Sequence, residues 1–355
     1  MIKILHICTD SNIGGAIVTL YRIVKAADKT NFEHLVLIPH SSMLYDDFVA
    51  LGVHVIPLKT TPDRSFSICA MLECLRYIRD HSPHIVHTHG AIFGRLAAYL
   101  SGIRSRIYTR HTYDNKRYSL FLRLINRTIT TNAVAVSSAV VDQIIACGIR
   151  VDQISVIENG CPQYISSANL KDRKFKLLYL GRLEREKGLL LALEGIRELH
   201  GIDPRYTLTL VGEGNYRQEI ESIVSLHGMS DYVKVYPAQK DVASFLSEHG
   251  IAINCSYENE ATSNFLIEAM SASMVCVLSD VGGNKAIIHD GVDGRLFESG
   301  DSNAFLNAVM DATDKYAYYS PKSSENYLCR FNEEIMINKY QALWNEEYDR
   351  FYFKE

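Results

Sequence analysis

The run LLYLGRLEREKGLLLALEGI, residues 177–196, decides the fold. Its first four residues are apolar and β-prone. A glycine follows, then a charged loop, and Lys187–Gly188 opens a stretch with helical periodicity. A strand that turns through a short loop into a helix is half of a βαβ unit. The same order recurs on both sides. Short apolar runs lie at 2–7, 34–38, 53–58, 84–89, 106–110, 133–137 and 154–157, then at 176–180, 206–211, 233–236, 251–254, 275–278 and 294–297. Helical segments such as 16–27, 189–199, 216–226 and 303–310 fall between them. Strands that are apolar throughout, not alternating, belong to parallel sheets covered on both faces. The fold class is therefore α/β, with two doubly wound, Rossmann-like domains.

The length, 355 residues, suits two domains. Residues 162–174 are polar and without period, so the linker is expected there. That divides the chain into 1–165, 166–330 and a helical, aromatic tail at 331–355, expected to pack back across the domain interface. Hydrophobic residues at 47% and charged residues at 22% exclude a disordered chain. No apolar run reaches about 18 residues, and MIKILHICTD has neither the basic stretch nor the long apolar core of a signal peptide. A cytoplasmic protein is expected. The eight cysteines form no C-x-x-C pair and read as reduced core residues.

Charge divides unevenly. Residues 1–165 carry 17 Lys+Arg against 12 Asp+Glu, and residues 166–355 carry 20 against 29. Different partners for the two halves follow. The basic excess is too small, and motifs are too few, for nucleic acid.

Three places carry candidate chemistry. Gly14 and Gly15 sit between the first strand and its helix, where a phosphate can approach backbone N–H groups; a tight β–α turn explains them as readily. Gly212 and Gly214 in LVGEG form a second such loop. Neither is a dinucleotide fingerprint, which argues against NAD. Arg182 and Lys187 flank the end of the strand at 177–180; a guanidinium fork plus a point charge suits a diphosphate, though two solvated cations would look the same. Glu260 and Glu268 stand eight residues apart around a helix start. Free N–H groups near Asn264, Phe265 and Leu266 would face an anion there, with the carboxylates meeting hydroxyls at either end of a ribose–diphosphate–sugar ligand.

Together these features resemble the retaining nucleotide-sugar glycosyltransferases of the GT-B fold, glycosyltransferase family 4. The resemblance runs through N-I-G-G-A, P-H-I-V-H-T-H-G, G-R-L-E-R-E-K-G, L-V-G-E-G, E-A-T-S-N-F-L-I-E-A-M and V-G-G-N-K-A-I-I-H-D-G-V-D-G-R-L-F. It implies two domains facing across a cleft and a set of roles. Glu260 would contact the transferred sugar and Glu268 the ribose hydroxyls. Arg182 and Lys187 would hold the diphosphate, with Gly14, Gly15 and Gly212 around the donor. His111 would line the sugar site. The sequence departs from the family at Ala261–Thr262–Ser263, where Gly-x-Pro usually follows the first glutamate, at Ala286 and at Ile17. These loops shape the sugar pocket.

No D-x-D occurs, so no metal and no cofactor is expected: the cations would stabilise the leaving diphosphate. The donor expected is a UDP-sugar before a GDP-sugar, and the acceptor a glycan or lipid-linked glycan. A sugar-nucleotide epimerase and a non-catalytic sugar-nucleotide-binding partner are the rival readings. Residues 104–127 hold seven cations against Asp114, with aromatic and aliphatic residues among them, and are expected to touch the inner membrane peripherally.

Overall fold

The computed structural model describes residues 1–10, 14–59, 67–113, 117–164, 170–258 and 260–353. The chain forms two compact units, Met1–Asn159 with Glu333–Glu355, and Gly160–Asn332.

The first unit holds β1 (Ile2–Cys8), β2 (Phe32–Pro39), β3 (His54–Leu58), β4 (Ile85–His89), β5 (Ser105–Arg110), β6 (Asn132–Ala135) and β7 (Ile154–Val156). All pair in parallel, in the order β3-β2-β1-β4-β5-β6-β7. The second unit holds β8 (Lys176–Leu180), β9 (Thr207–Val211), β10 (Val233–Tyr236), β11 (Ile251–Asn254), β12 (Val275–Ser279) and β13 (Gly294–Phe297). Its parallel order is β10-β9-β8-β11-β12-β13. Each apolar run marked in the sequence is a strand. In each sheet the winding reverses beside the first strand, at β1/β4 and at β8/β11, where open α/β sheets bind ligands beyond the strand carboxyl ends.

Five helices matter below: α1 (Gly15–Ala26), α2 (Leu120–Ile129), α3 (Leu189–Ile202), α4 (Asn264–Ser271) and α5 (Glu333–Tyr352). The last belongs to the first unit. Its Trp344 is fully buried, edge-on to Phe32 at 5.2 Å and His34 at 5.3 Å between ring centres. Its buried Glu347 accepts hydrogen bonds from Ser105 and Thr131 of that unit, at 2.8 and 2.7 Å. Truncating so large a buried side chain as Trp344 typically costs about 3–5 kcal/mol.

The chain changes units at Asn159–Gly160, a few residues before the boundary expected at 165. Cys161 is already tied into the second unit: its N–H bonds the Phe331 carbonyl at 3.1 Å, and Tyr327 donates to its carbonyl at 2.9 Å. Part of the expected linker, residues 165–169, lies outside the described residues. None of the eight cysteines is in a disulfide, and six of them are buried. Among the described residues no helix is long and apolar enough to cross a membrane.

Candidate active site

The second unit builds its site where β8, β9, β11 and β12 end. Beyond β8 the chain passes Gly181 and Arg182, makes a single turn at Arg185–Lys187, and enters α3 through Gly188. Gly188 is left-handed (φ 65°), and a Cβ there would lie 1.9 Å from the Cys255 carbonyl oxygen. Glycine is therefore required for the loop after β8 to lie against the loop after β11. The loop after β9 is laced to it as well: Gly181 N–H bonds Val211 O at 3.0 Å and Leu183 N–H bonds Glu213 O at 2.9 Å. A Cβ on Gly212 would approach Gly181 O to 1.8 Å. Gly212, expected to touch the donor, thus has a packing reason of its own.

These contacts place Lys187 against Glu260. Nζ and Oε1 are 2.5 Å apart, and the two side chains are only 12% and 11% exposed. Glu260 also accepts from Ser256 Oγ at 2.8 Å and Asn254 Nδ2 at 3.4 Å. The network continues behind it. Ser279 Oγ donates to Ser256 O at 2.7 Å, and Asn284 Nδ2 donates to Ser279 O at 3.0 Å. Asn254, Ser256, Ser279 and Asn284 were not singled out from the sequence. Their signal was position alone: each stands at or just beyond the end of β11 or β12.

Gly282 and Gly283 were quoted as part of a motif but given no role. The structure gives them one. Gly283 N–H bonds the Glu260 carbonyl at 2.7 Å, and Cβ atoms on Gly282 and Gly283 would lie 2.5 Å from Glu260 O and 1.8 Å from Ala261 O. The glycine pair lets the loop after β12 seat the Glu260 backbone.

Arg182 differs from Lys187. Its side chain is 68% exposed and meets Glu186 only at 3.6 Å. Its backbone is fixed, because the buried Tyr179 hydroxyl donates to the Arg182 carbonyl at 2.9 Å. Burial raises the pKa of that phenol well above its ordinary value. The two expected diphosphate cations are thus one solvated guanidinium and one ammonium held by a carboxylate.

Glu268 is buried on α4, 8% exposed. The start of α4 corrects one expectation. Leu266 N–H is not free: it bonds Ser263 O at 3.1 Å, because the first turn closes tightly. Phe265 and Leu266 turn their side chains into the core. Ser263 makes no side-chain cap, so the end of α4 is not closed by its own hydroxyl.

In the first unit, Gly14 precedes α1 and Gly15 begins it. The α1 terminus already has a carboxyl group against it. A Cβ on Gly14 would be 3.0 Å from Asp10 Oδ2, and Asp10 accepts a hydrogen bond from the Ile17 backbone. Burial raises the Asp10 pKa, and that hydrogen bond lowers it. Asp10, which sequence reasoning passed over, stands where a phosphate was expected.

His111 follows β5. Its Nε2 lies 3.0 Å from His89 Nδ1. Burial lowers its pKa to about 3, so the ring is neutral near pH 7 and can share a hydrogen bond but not serve as a charged acid.

Comparison with known proteins places this architecture. HepE of Anabaena, solved with UDP-glucose, superposes with a TM-score of 0.84 over 98% of this chain and 100% of its own, at 19% identity. The fold is that of the GT-B glycosyltransferases. Residues 13–162 match Glycosyltransferase Family 4, and residues 162–326 match Glycosyl transferases group 1. The chain belongs to this glycosyltransferase family. Its relatives include the Escherichia coli UDP-Gal:alpha-D-GlcNAc-diphosphoundecaprenol alpha-1,3-galactosyltransferase, 24% identical over 78% of each chain. Another is the Salmonella typhimurium lipopolysaccharide 1,6-galactosyltransferase, 24% identical over 68% of this chain and 70% of that one.

Proposed function

We propose that this chain is a retaining, metal-independent hexosyltransferase. It moves a sugar from a UDP-sugar to a glycan or lipid-linked glycan during cell-surface polysaccharide synthesis. The observation that carries this reading is the buried Lys187–Glu260 pair beyond β8 and β11. An ammonium and a carboxylate at 2.5 Å, each scarcely exposed, are costly to hold unless a ligand uses them.

In this reading the donor diphosphate takes Lys187 as counter-ion, and Arg182 folds in from solvent as a second. Both stabilise the negative charge that gathers as the glycosidic bond breaks. Glu260 is then turned toward the sugar, where it positions hydroxyls and stabilises the positive anomeric carbon. Glu268 holds the ribose. The acceptor enters on the face that the diphosphate leaves, which retains the anomeric configuration. UDP and a galactose-type donor are favoured because the relatives above are galactosyltransferases and HepE was solved with UDP-glucose.

We propose the membrane contact in a narrower form. Of the seven cations at 104–127, Arg110 is buried among Tyr108, Tyr118 and Gln143. Arg106 bonds the carbonyls of Ile103 and Ile129. Arg104 bonds that of Phe351. Lys116 lies outside the described residues. Arg117, Arg123 and Arg127 are exposed, beside or on α2. With them stand Leu120, Phe121 and Leu124, which are 76%, 70% and 63% exposed. This is the arrangement of an interfacial helix on anionic lipid.

The test is transfer from UDP-galactose, UDP-glucose, UDP-N-acetylglucosamine and GDP-mannose to polyprenyl-diphosphate-linked sugar, with the anomer determined by NMR. A retained anomer formed in excess EDTA is expected. An inverted product, or activity lost to EDTA and restored by Mg²⁺, would overturn the mechanism.

A further inference from the structure

Five imidazoles gather in the core of the first unit, outside the residues used above except His111. The topology causes this. His6 on β1 pairs in register with His87 on β4, and His89 follows two residues later on the same face. His34 comes from the neighbouring β2, and His111 follows β5. Trp344 of α5 covers them, 5.8 Å from His6 between ring centres. His6 and His87 are fully buried, and His89 is 3% exposed.

The hydrogen bonding is half complete in a regular way. His6 Nε2 meets His34 Nδ1 at 3.0 Å, His87 Nε2 meets Thr109 Oγ1 at 2.7 Å, and His89 Nδ1 meets His111 Nε2 at 3.0 Å. The other nitrogen on each of these three rings is buried with no partner: His6 Nδ1, His87 Nδ1 and His89 Nε2. Buried nitrogens are rarely left so, because each forfeits its bond to water. Here five are left together, since His34 Nε2 and His111 Nδ1 are likewise without a partner. Ring nitrogens of His6, His87 and His89 lie within 4.8 Å of one another.

We propose that His6, His87 and His89 form a binding site for a first-row divalent metal ion, zinc foremost, in the core of the first unit. One ion would be shared by one nitrogen from each of the three rings. A point equidistant from three atoms 4.8 Å apart lies about 2.8 Å from each, against about 2.0–2.1 Å for a zinc–imidazole bond, so each ring need close by less than 1 Å. The partners beyond the site are those a metal site uses. His34, Thr109 and His111 each hold one nitrogen of a ring and so fix its orientation. Imidazole-only ligands favour zinc, cobalt, nickel or copper over magnesium and calcium. The role is structural, since the site joins β1 and β4 behind the strand ends. It stands apart from the donor chemistry, which the preceding reading makes metal-independent.

The test uses the full chain without an affinity tag. Protein expressed in zinc-supplemented medium is passed through gel filtration, which strips ions from exposed histidines, and its metal is counted by mass spectrometry. One zinc per chain is expected. Protein refolded with Co²⁺ should show the visible absorption of a tetrahedral cobalt centre. His87→Gln and His89→Gln should lose the ion, whereas His34→Gln, within the cluster but not a ligand, should keep at least half of it. Far-UV circular dichroism and UDP binding by the second unit show that each variant is folded. Less than 0.1 ion per chain in the wild type overturns the site and leaves buried water as the partner of these nitrogens. Equal retention by folded His87→Gln and His89→Gln overturns it too.

Discussion

The two sheets wind alike but handle buried polar groups in opposite ways. Beyond β8 and β11 the second unit keeps a charged pair, and Lys187, Asn254 and Ser256 all converge on Glu260 Oε1. At the equivalent strands β1 and β4 the first unit keeps uncharged rings, each with a nitrogen to spare. The buried His249 of the second unit makes the contrast sharper. Its Nδ1 bonds Phe245 O at 2.7 Å and its Nε2 meets Thr209 Oγ1 at 2.8 Å. His249 has both nitrogens satisfied, whereas each ring of the first-unit cluster keeps one unsatisfied. The first unit also exposes charge, on Arg117, Arg123 and Arg127.

The largest effect should come from breaking the charged pair. Glu260→Gln and Lys187→Met should each lower kcat by about 10²–10³, the usual loss when a preorganised charged group is removed. Stability should show the pairing as well. Removing one partner of a buried pair costs about 3–5 kcal/mol because the other charge is stranded. The double variant should therefore unfold at higher urea than the sum of the single variants allows. Strict additivity in the cycle would mean the two groups do not interact in solution.

Acidification tests the neutral side of the comparison within the second unit. Burial lowers His249 to about 4, against 6.5 for a free imidazole. The unfolded chain then binds a proton that the folded one refuses. Stability should fall as pH drops below about 6.5 and continue to fall to about 4, by up to about 1.4 kcal/mol per pH unit. His249→Gln should remove its share of that slope in urea titrations between pH 7 and 5, leaving the share of the buried rings of the first unit. An unchanged slope would show that His249 does not govern it.

A smaller effect tests why the charged pair is held so well. Gly283→Ala puts a Cβ where Ala261 O lies, 1.8 Å away, and should destabilise by about 1–3 kcal/mol while weakening UDP binding. Gly201→Ala, in α3 with nothing within 4 Å of the new methyl, should stabilise by about 0.5–1 kcal/mol. If both variants melt like the wild type, the loop after β12 does not seat Glu260.

Much of this was legible in the sequence. Strands apolar on both faces have no other fold to join, so β1 to β13 could be placed from pattern alone. Arg182, Lys187 and Glu260 were conspicuous as charged residues in the loops after β8 and β11, and Glu268 as a charged residue on the helix that follows. That Lys187 would pair with Glu260 was not, since the contact joins loops 73 residues apart. The closed first turn of α4 was missed for a local reason: Ser263 reads as a side-chain cap but uses its carbonyl instead. The histidine cluster was hidden by register. Periodicity gives the strands, and only the pairing of β1 with β4 brings His6 beside His87.

The smallest effect concerns the outward charge of the first unit. Seven cations looked available in the sequence, and the fold commits three of them to internal hydrogen bonds. Those left exposed beside α2 flank Leu120, Phe121 and Leu124, which have no core to enter. Each arginine near anionic lipid contributes about 1 kcal/mol, and the effect fades with salt. Wild-type protein should cosediment with vesicles containing phosphatidylglycerol at low salt and release as salt rises. Arg117→Glu/Arg123→Glu/Arg127→Glu should abolish binding, and Phe121→Ser/Leu124→Ser should weaken it at every salt concentration, since apolar insertion is not screened. Neither set touches the Lys187–Glu260 pair, so transfer to a short, water-soluble acceptor should be unchanged. Equal sedimentation of the arginine variant would remove the membrane from this account, leaving the exposed leucines of α2 to a protein partner.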